Sequence, residues 1–200
     1  LTLIKNKKGT IVASSQSEAE MTDSLETIFN QKLKIRHPNL WSLSNPYQYT
    51  VCFQVRQNGK LIDEYKTFTG VRSFRFDAEK GFFLNNKHVK INGVCLHHDL
   101  GCLGSAVNKR AIERQLRILK EMGCNGIRCS HNPPAPELLD LCDSMGFIVM
   151  DEAFDMWHRR KSTYDYAKYF DRWYERDLTS LVLRDRNHPS VFMWNIGNEV

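Results

Sequence analysis

None of the six cysteines forms a Cys-x-x-Cys pair and none repeats a zinc-ligand spacing, so the common structural zinc modules are excluded. Several of the six (Cys52, Cys95, Cys102, Cys124, Cys129, Cys142) fall inside apolar strand or helix patterns, where a free thiol behaves as a small hydrophobe. That placement argues against a disulfide scaffold. No apolar run approaches the length of a membrane span, so no membrane partner is expected. The opening Leu1-Thr2-Leu3-Ile4-Lys5 is not a signal peptide. It starts in mid-pattern, as if cut from a longer chain, which leaves the compartment of a soluble protein open between cytoplasm and periplasm. A recognised nucleic-acid motif is also missing. The net charge of +5 is spread among acids and its densest cluster, Arg159-Arg160-Lys161, is short, so it reads as solvated surface rather than a nucleic-acid footprint.

What is present fits a soluble globular protein of one or two domains, with 42% hydrophobic and 26% charged residues in 200. Residues 1–78 read as strands and turns. Asn6-Lys7-Lys8-Gly9 and Gln57-Asn58-Gly59-Lys60 are turn signals, and alternation puts Val51, Phe53 and Val55 on one face of a strand. Short strands at this spacing predict a β-sandwich. Residues 79–200 alternate strands with helices. Strands are expected over 89–97, 125–130, 147–150 and 191–198. One helix over 109–122 is capped by Asn108, buries Ile112, Leu116 and Leu119, and is stopped by Gly123. A second starts at Pro136 and ends before Gly146; a third over 171–186 turns Tyr174, Leu178, Leu181 and Val182 inward. Four such strands in succession predict a parallel sheet, half of a (β/α)₈ barrel.

In such a barrel the reactive groups sit at the carboxyl ends of the strands. The run Val191-Phe192-Met193-Trp194-Asn195-Ile196-Gly197-Asn198-Glu199 places a carboxylate there, beside an amide suited to a sugar hydroxyl. Upstream, in order, stand Asn92-Gly93-Val94-Cys95-Leu96-His97-His98-Asp99, then Gly126-Ile127-Arg128-Cys129-Ser130-His131-Asn132-Pro133-Pro134, then Phe147-Ile148-Val149-Met150-Asp151-Glu152, then Arg186-Asn187-His188-Pro189-Ser190. His97-His98-Asp99 hints at a metal, but neighbours on an extended chain diverge and do not easily chelate one ion. Asp151 and Glu152 point to opposite faces, so at most one enters a pocket, and both read as supporting rather than reacting groups.

Together these runs resemble the glycoside hydrolase family 2 enzymes, the β-galactosidases, β-glucuronidases and β-mannosidases, over nearly the whole chain. The resemblance implies an immunoglobulin-like β-sandwich over 1–78 and the first four βα units of a TIM (β/α)₈ barrel over 79–200. Asn39-Leu40-Trp41-Ser42 resembles a signature of the sandwich domain, with Leu43 where the family has proline; Trp41 itself reads as a packing residue. The family's reaction is retaining hydrolysis of terminal β-glycosides by two carboxyl groups about 5 Å apart. The resemblance makes Glu199 the general acid/base and puts the nucleophile on a later strand, so that 1–200 alone is expected to be inactive, and its open sheet edges to leave it self-associating or only marginally stable. It also makes Asn198, His97, Asp99, His131, Arg128 and Trp157 substrate-binding, although Cys95 stands where the family has asparagine. Trp157 reads equally as packing. No cofactor is expected: magnesium occurs in the family, but Met156 falls at the acidic ligand position, and a thioether suits a hard cation poorly. The expected partner is a β-galactoside or oligosaccharide, with a homo-oligomeric parent left open. Alternatives are a β-glucuronidase or β-mannosidase, an inactive carbohydrate-binding fragment, and a metal-dependent hydrolase built on the His/Asp residues.

Overall fold

The computed structural model describes residues 1–20 and 26–200. Its first part is one antiparallel sheet of β1 (Thr2–Lys5), β2 (Ile11–Ser15), β3 (Tyr49–Gln57) and β4 (Lys60–Thr69), in the order β2-β1-β3-β4. Both expected turns are there. Asn6 Oδ1 accepts from the amides of Lys8 and Thr10 at 3.0 Å. Asn58 and Gly59 both take positive φ, as a two-residue hairpin requires. The expected sandwich is represented by this single sheet among the described residues, not by two sheets face to face. The Val51, Phe53 and Val55 face is correspondingly open: Phe53 and Val55 are exposed, with Phe53 stacking across the strands on Tyr65.

A small antiparallel sheet follows, of β5 (Phe74–Asp77), β6 (Gly81–Leu84) and β7 (Lys87–His88), turned at Asn85 and Asn86, both at positive φ. The expected strand over 89–97 is therefore broken. Its first residues leave β7, and β8 begins only at Gly93 and runs to His97. Phe82 and Leu84 form a core with Trp41, Ile148 and Phe192. Trp41 is fully buried and donates its indole N–H to the Asp143 carbonyl at 2.7 Å. Arg72 reaches the carbonyls of Pro189 and Val191. The antiparallel part is thus clamped to the amino-terminal end of the next sheet.

That sheet is parallel, β8-β9-β10-β11, with β9 over Gly126–Ser130, β10 over Ile148–Glu152 and β11 over Val191–Asn195. Between the strands lie α1 (Lys109–Glu121), α2 (Pro136–Met145) and α3 (Ala167–Asp185), so the described chain has three βα units and a fourth strand. Ile127, Cys129, Val149 and Val191 face the helices and pack on Ile112, Leu116, Leu139 and Cys142. Burial pushes the thiols of Cys129 and Cys142 up, which keeps them unreactive packing groups. Strand four is shorter than expected, ending at Asn195; beyond it the Asn198 amide donates to the Phe154 carbonyl. α3 starts before residue 171, and Phe170 takes the buried place expected of Tyr174, which lies exposed and stacks on it.

The helix side of β10 carries buried charge. Asp151 and Asp185 are both fully buried, and Asp185 accepts from Arg184 at 2.6 Å on each oxygen. Burial, then the neighbouring Asp185 carboxylate, push Asp151 up to about 8. Nearby, Asp143 accepts from His188 Nδ1 at 2.7 Å and from the Ser190 amide at 3.0 Å. Burial opposes the charge on His188, but the bond to Asp143 and the carboxylates around it outweigh that and raise its pKa. Both groups bind protons more tightly folded than unfolded. Their contribution is complete below the unfolded values and is lost as pH climbs through the folded ones. The melting temperature is expected to fall by several degrees between pH 5 and 9, and Asp151→Asn should flatten that slope. Scanning calorimetry across the range checks it; a melting temperature that rises with pH, or an unchanged slope in Asp151→Asn, contradicts it.

Candidate active site

The opposite, inward side of the same strands carries a polar cluster at their carboxyl ends, centred on Glu152, which is fully buried. Alternation on β10 sends Asp151 to the helices and Glu152 inward, so one of the two acids joins the cluster. Arg128 on β9 grips both its oxygens, Nε donating to Oε2 at 2.6 Å and Nη2 to Oε1 at 3.2 Å. The amide of Asn195 also donates to Oε2. His131 Nδ1 lies 2.6 Å from Oε1. The carboxylate is the acceptor in each of these contacts, so Nδ1 carries the proton, and its 3.4 Å approach to Arg128 Nη2 is a contact between donors rather than a bond. The bond to Glu152 raises the pKa of Arg128, so its charge is permanent.

Asn198 extends the cluster. Its Oδ1 accepts from Arg128 Nη2 at 2.9 Å and its Nδ2 donates to Asp155 Oδ1 at 3.0 Å, which leaves one lone pair and one N–H for an outside group. His97, at the end of β8, meets His131 edge-on, ring centroids 5.1 Å apart. The structure therefore brings together Arg128, His131, Asn198 and His97. Asp99 lines a pocket together with His97 and Asn132, its Oδ1 accepting from the Gly101 amide in its own loop at 2.6 Å. Trp157 donates to the Ile196 carbonyl at 2.8 Å and stacks on Phe170, so its indole buttresses the loop before Glu199. Glu199 sits on that loop at φ 52°, its side chain 78% exposed, and its one described ion pair is with Lys161, at 3.4 Å.

Asn195, Asp155 and Lys161 belong to the cluster without a motif that would single them out in sequence. Lys161 donates to the Asp155 carbonyl at 2.7 Å, to Asp155 Oδ1 at 2.9 Å and to the Asn198 carbonyl at 2.9 Å. Burial works against the charge on Asp155, but hydrogen bonds from Lys161 and Asn198 outweigh it and hold that carboxyl below the usual carboxylate range. The residues here do not fit a magnesium ion. Met156 is buried, His158 pairs with Asp171 at 2.8 Å, and the oxygens of Asp155 and Asn198 converge on an ammonium instead.

A parallel βα sheet with its polar groups gathered at the strands' carboxyl ends is the layout of a barrel enzyme. Residues 77–200 match the family model described as glycosyl hydrolases family 2, TIM barrel domain, and residues 1–72 match glycosyl hydrolases family 2. The chain belongs to glycosyl hydrolase family 2. It is 61% identical over 197 residues to the β-galactosidase BoGH2A of Bacteroides ovatus, covering 98% of this chain and 23% of that protein. It is 44% identical to a putative β-glucuronidase of Formosa agariphila, covering 84% of this chain and 16% of that one. Among solved structures, a family 2 member from Bacteroides cellulosilyticus superposes with a TM-score of 0.94 at 46% identity, covering 99% of this chain and 26% of the other. The chain thus spans about a quarter or less of the length of these relatives.

Proposed function

We propose that these residues are the immunoglobulin-like domain, 1–78, and the first half of the catalytic barrel, 79–200, of a retaining exo-β-glycosidase that removes terminal β-galactosyl residues. The observation that carries this reading is the cluster of Arg128, His131, Asn195 and Asn198 around Glu152, with Glu199 on the adjoining loop. Glu199 is the general acid/base. It protonates the departing glycosidic oxygen and then takes a proton from water, while a second carboxylate, on a part of the barrel outside this chain, attacks the anomeric carbon. Arg128, locked by a buried carboxylate, offers its remaining Nη1 donors to the sugar, and His131, its Nδ1–H held by the same carboxylate, presents Nε2; His97 adds a ring beside them, and Asn198 its remaining amide positions. Asp99 and Trp157 complete the proposed rim, Asp99 through the oxygen its loop leaves free and Trp157 through its ring face.

The choice of a neutral galactoside has two supports. The relative at 61% identity is named a β-galactosidase. Among the described residues, the two cations that touch the cluster each already pair with a carboxylate, Arg128 with Glu152 and Lys161 with Asp155, so neither brings an uncompensated charge for a uronate. On a panel of nitrophenyl β-glycosides, the complete enzyme is expected to cleave the galactoside at least about 10-fold faster than the glucuronide or mannoside, as one unsatisfied polar contact predicts. A clear preference for the glucuronide overturns the choice of sugar. Release of the α-anomer first, followed by NMR, overturns retention.

A further inference from the structure

We infer that Lys161 is a positioning residue for Glu199, a built-in cation that fixes the loop bearing the proton-trading carboxyl and draws that carboxyl to one place. The inference rests on the reading of Glu199 as the acid/base. An ammonium has three N–H bonds, and those of Lys161 meet three acceptors within 2.9 Å: the Asp155 carbonyl, Asp155 Oδ1 and the Asn198 carbonyl. With its donors saturated, the charge cannot swing as surface lysines do. Two of the acceptors belong to the loop after β10 and one to the loop after β11, so the ammonium ties the two loops together next to Glu199. Its own backbone is pinned as well. Asp165 Oδ2 accepts from the amides of Lys161 and Ser162, and Oδ1 from the Ala167 amide at the start of α3.

Glu199 Oε2 lies 3.4 Å from Nζ, near enough for attraction although the three N–H bonds are already used. No other ion pair holds the exposed Glu199 side chain among the described residues. The bond to Asp155 outweighs desolvation and raises the pKa of Lys161, so the cation persists at neutral pH. Oxygens that could have gathered round a metal ion are gathered round this ammonium. The lysine thus performs in one side chain what a bound cation with the same partners would do, namely fix their geometry and set a positive charge beside a carboxyl that must gain and lose a proton.

The test uses the complete enzyme with Lys161→Ala, and Lys161→Met as a second variant that keeps most of the apolar stem. Turnover is compared on alkyl β-glycosides, which need a proton donor, and on dinitrophenyl β-glycosides, which do not. The expected result is a fall of about 10- to 100-fold in kcat on the alkyl substrates, KM within about two-fold, little change in the glycosylation rate of the dinitrophenyl substrates, and melting temperatures near that of the parent. Methylammonium should restore part of the loss in Lys161→Ala, and tetramethylammonium, which has no N–H, should not. Equal losses on both substrate classes, or none, in the better-folded of the two variants overturn the inference. Glu199→Gln is run alongside. If it disables the alkyl substrates while both lysine variants stay fully active, only the role of Lys161 falls. If Glu199→Gln is itself harmless, the acid/base reading falls and this inference with it.

Discussion

Replacing Glu199 with glutamine in the complete enzyme is expected to lower turnover of substrates with poor leaving groups by roughly 10²–10⁴-fold. The amide keeps the shape of the side chain but can neither protonate the glycosidic oxygen nor take a proton from the attacking water. Substrates whose leaving groups depart without protonation should lose far less in the glycosylation step. The structural cost should be small, within about 0.5 kcal/mol, because the side chain stands largely in solvent and makes a single ion pair among the described residues. Large loss with little destabilisation is the signature sought. Pre-steady-state rates on an alkyl and a dinitrophenyl glycoside decide the matter; an equal fall in both would remove Glu199 from the acid/base role.

Glu152→Ala should act in the opposite sense, damaging the fold first. Its carboxylate is buried and takes hydrogen bonds from Arg128, Asn195 and His131. Deleting it leaves the Arg128 guanidinium without its counter-ion and the Asn195 amide and His131 Nδ1 without this acceptor; breaking a buried ion pair from one side costs about 3–5 kcal/mol, and the lower end applies here because Arg128 is partly exposed. Arg128 would then be free to drift, and with it Asn198, so activity should also drop severalfold or more. Denaturant unfolding of Glu152→Ala measures the first effect. A loss below about 1 kcal/mol would mean that the cluster tolerates an unpaired cation and that Glu152 does not organise it.

The parts legible in the sequence are those whose signals are local. Asn108 caps α1 by accepting from the Ala111 amide, and Pro136 and Gly146 bracket α2, the glycine at φ 75° against the Leu43 carbonyl. Each is a short-range device readable within a few residues. The break before β8 was hidden because Val89 and Ile91 lengthen the apolar stretch ahead of Val94 and Leu96, although they are out of phase with that pair and Asn85-Asn86 marks a turn. Phe170 displaced Tyr174 because α3 begins a turn earlier than its apolar pattern. In the site, Glu199 and Arg128 stood out through motifs at strand ends. Glu152 was visible as a residue but not as the centre, because its partners lie 24, 21 and 43 residues away. Lys161 sits in a connecting segment without period, in the densest basic cluster of the chain, where charge alone suggests plain surface. No pattern in one dimension reports three acceptors converging from two loops.

The parallel sheet is laid down in the order β8-β9-β10-β11, the order in which a ribosome makes it. Every new strand therefore meets, as it emerges, the edge left by the one before, and the half-built barrel can grow by accretion without waiting for distant sequence. The clamp to the preceding sheet follows another schedule. Trp41 needs the carbonyl of Asp143, and Arg72 needs those of Pro189 and Val191, more than a hundred residues downstream in each case. The antiparallel sheet can pair its own strands early and can meet α2 through Trp41, but the Arg72 bonds of the joint have no acceptors until Pro189 and Val191 have been synthesised. The connectivity thus orders the contacts of the joint: the one made by Trp41 becomes available with α2, and the joint is complete only when the strand leading to Glu199 arrives.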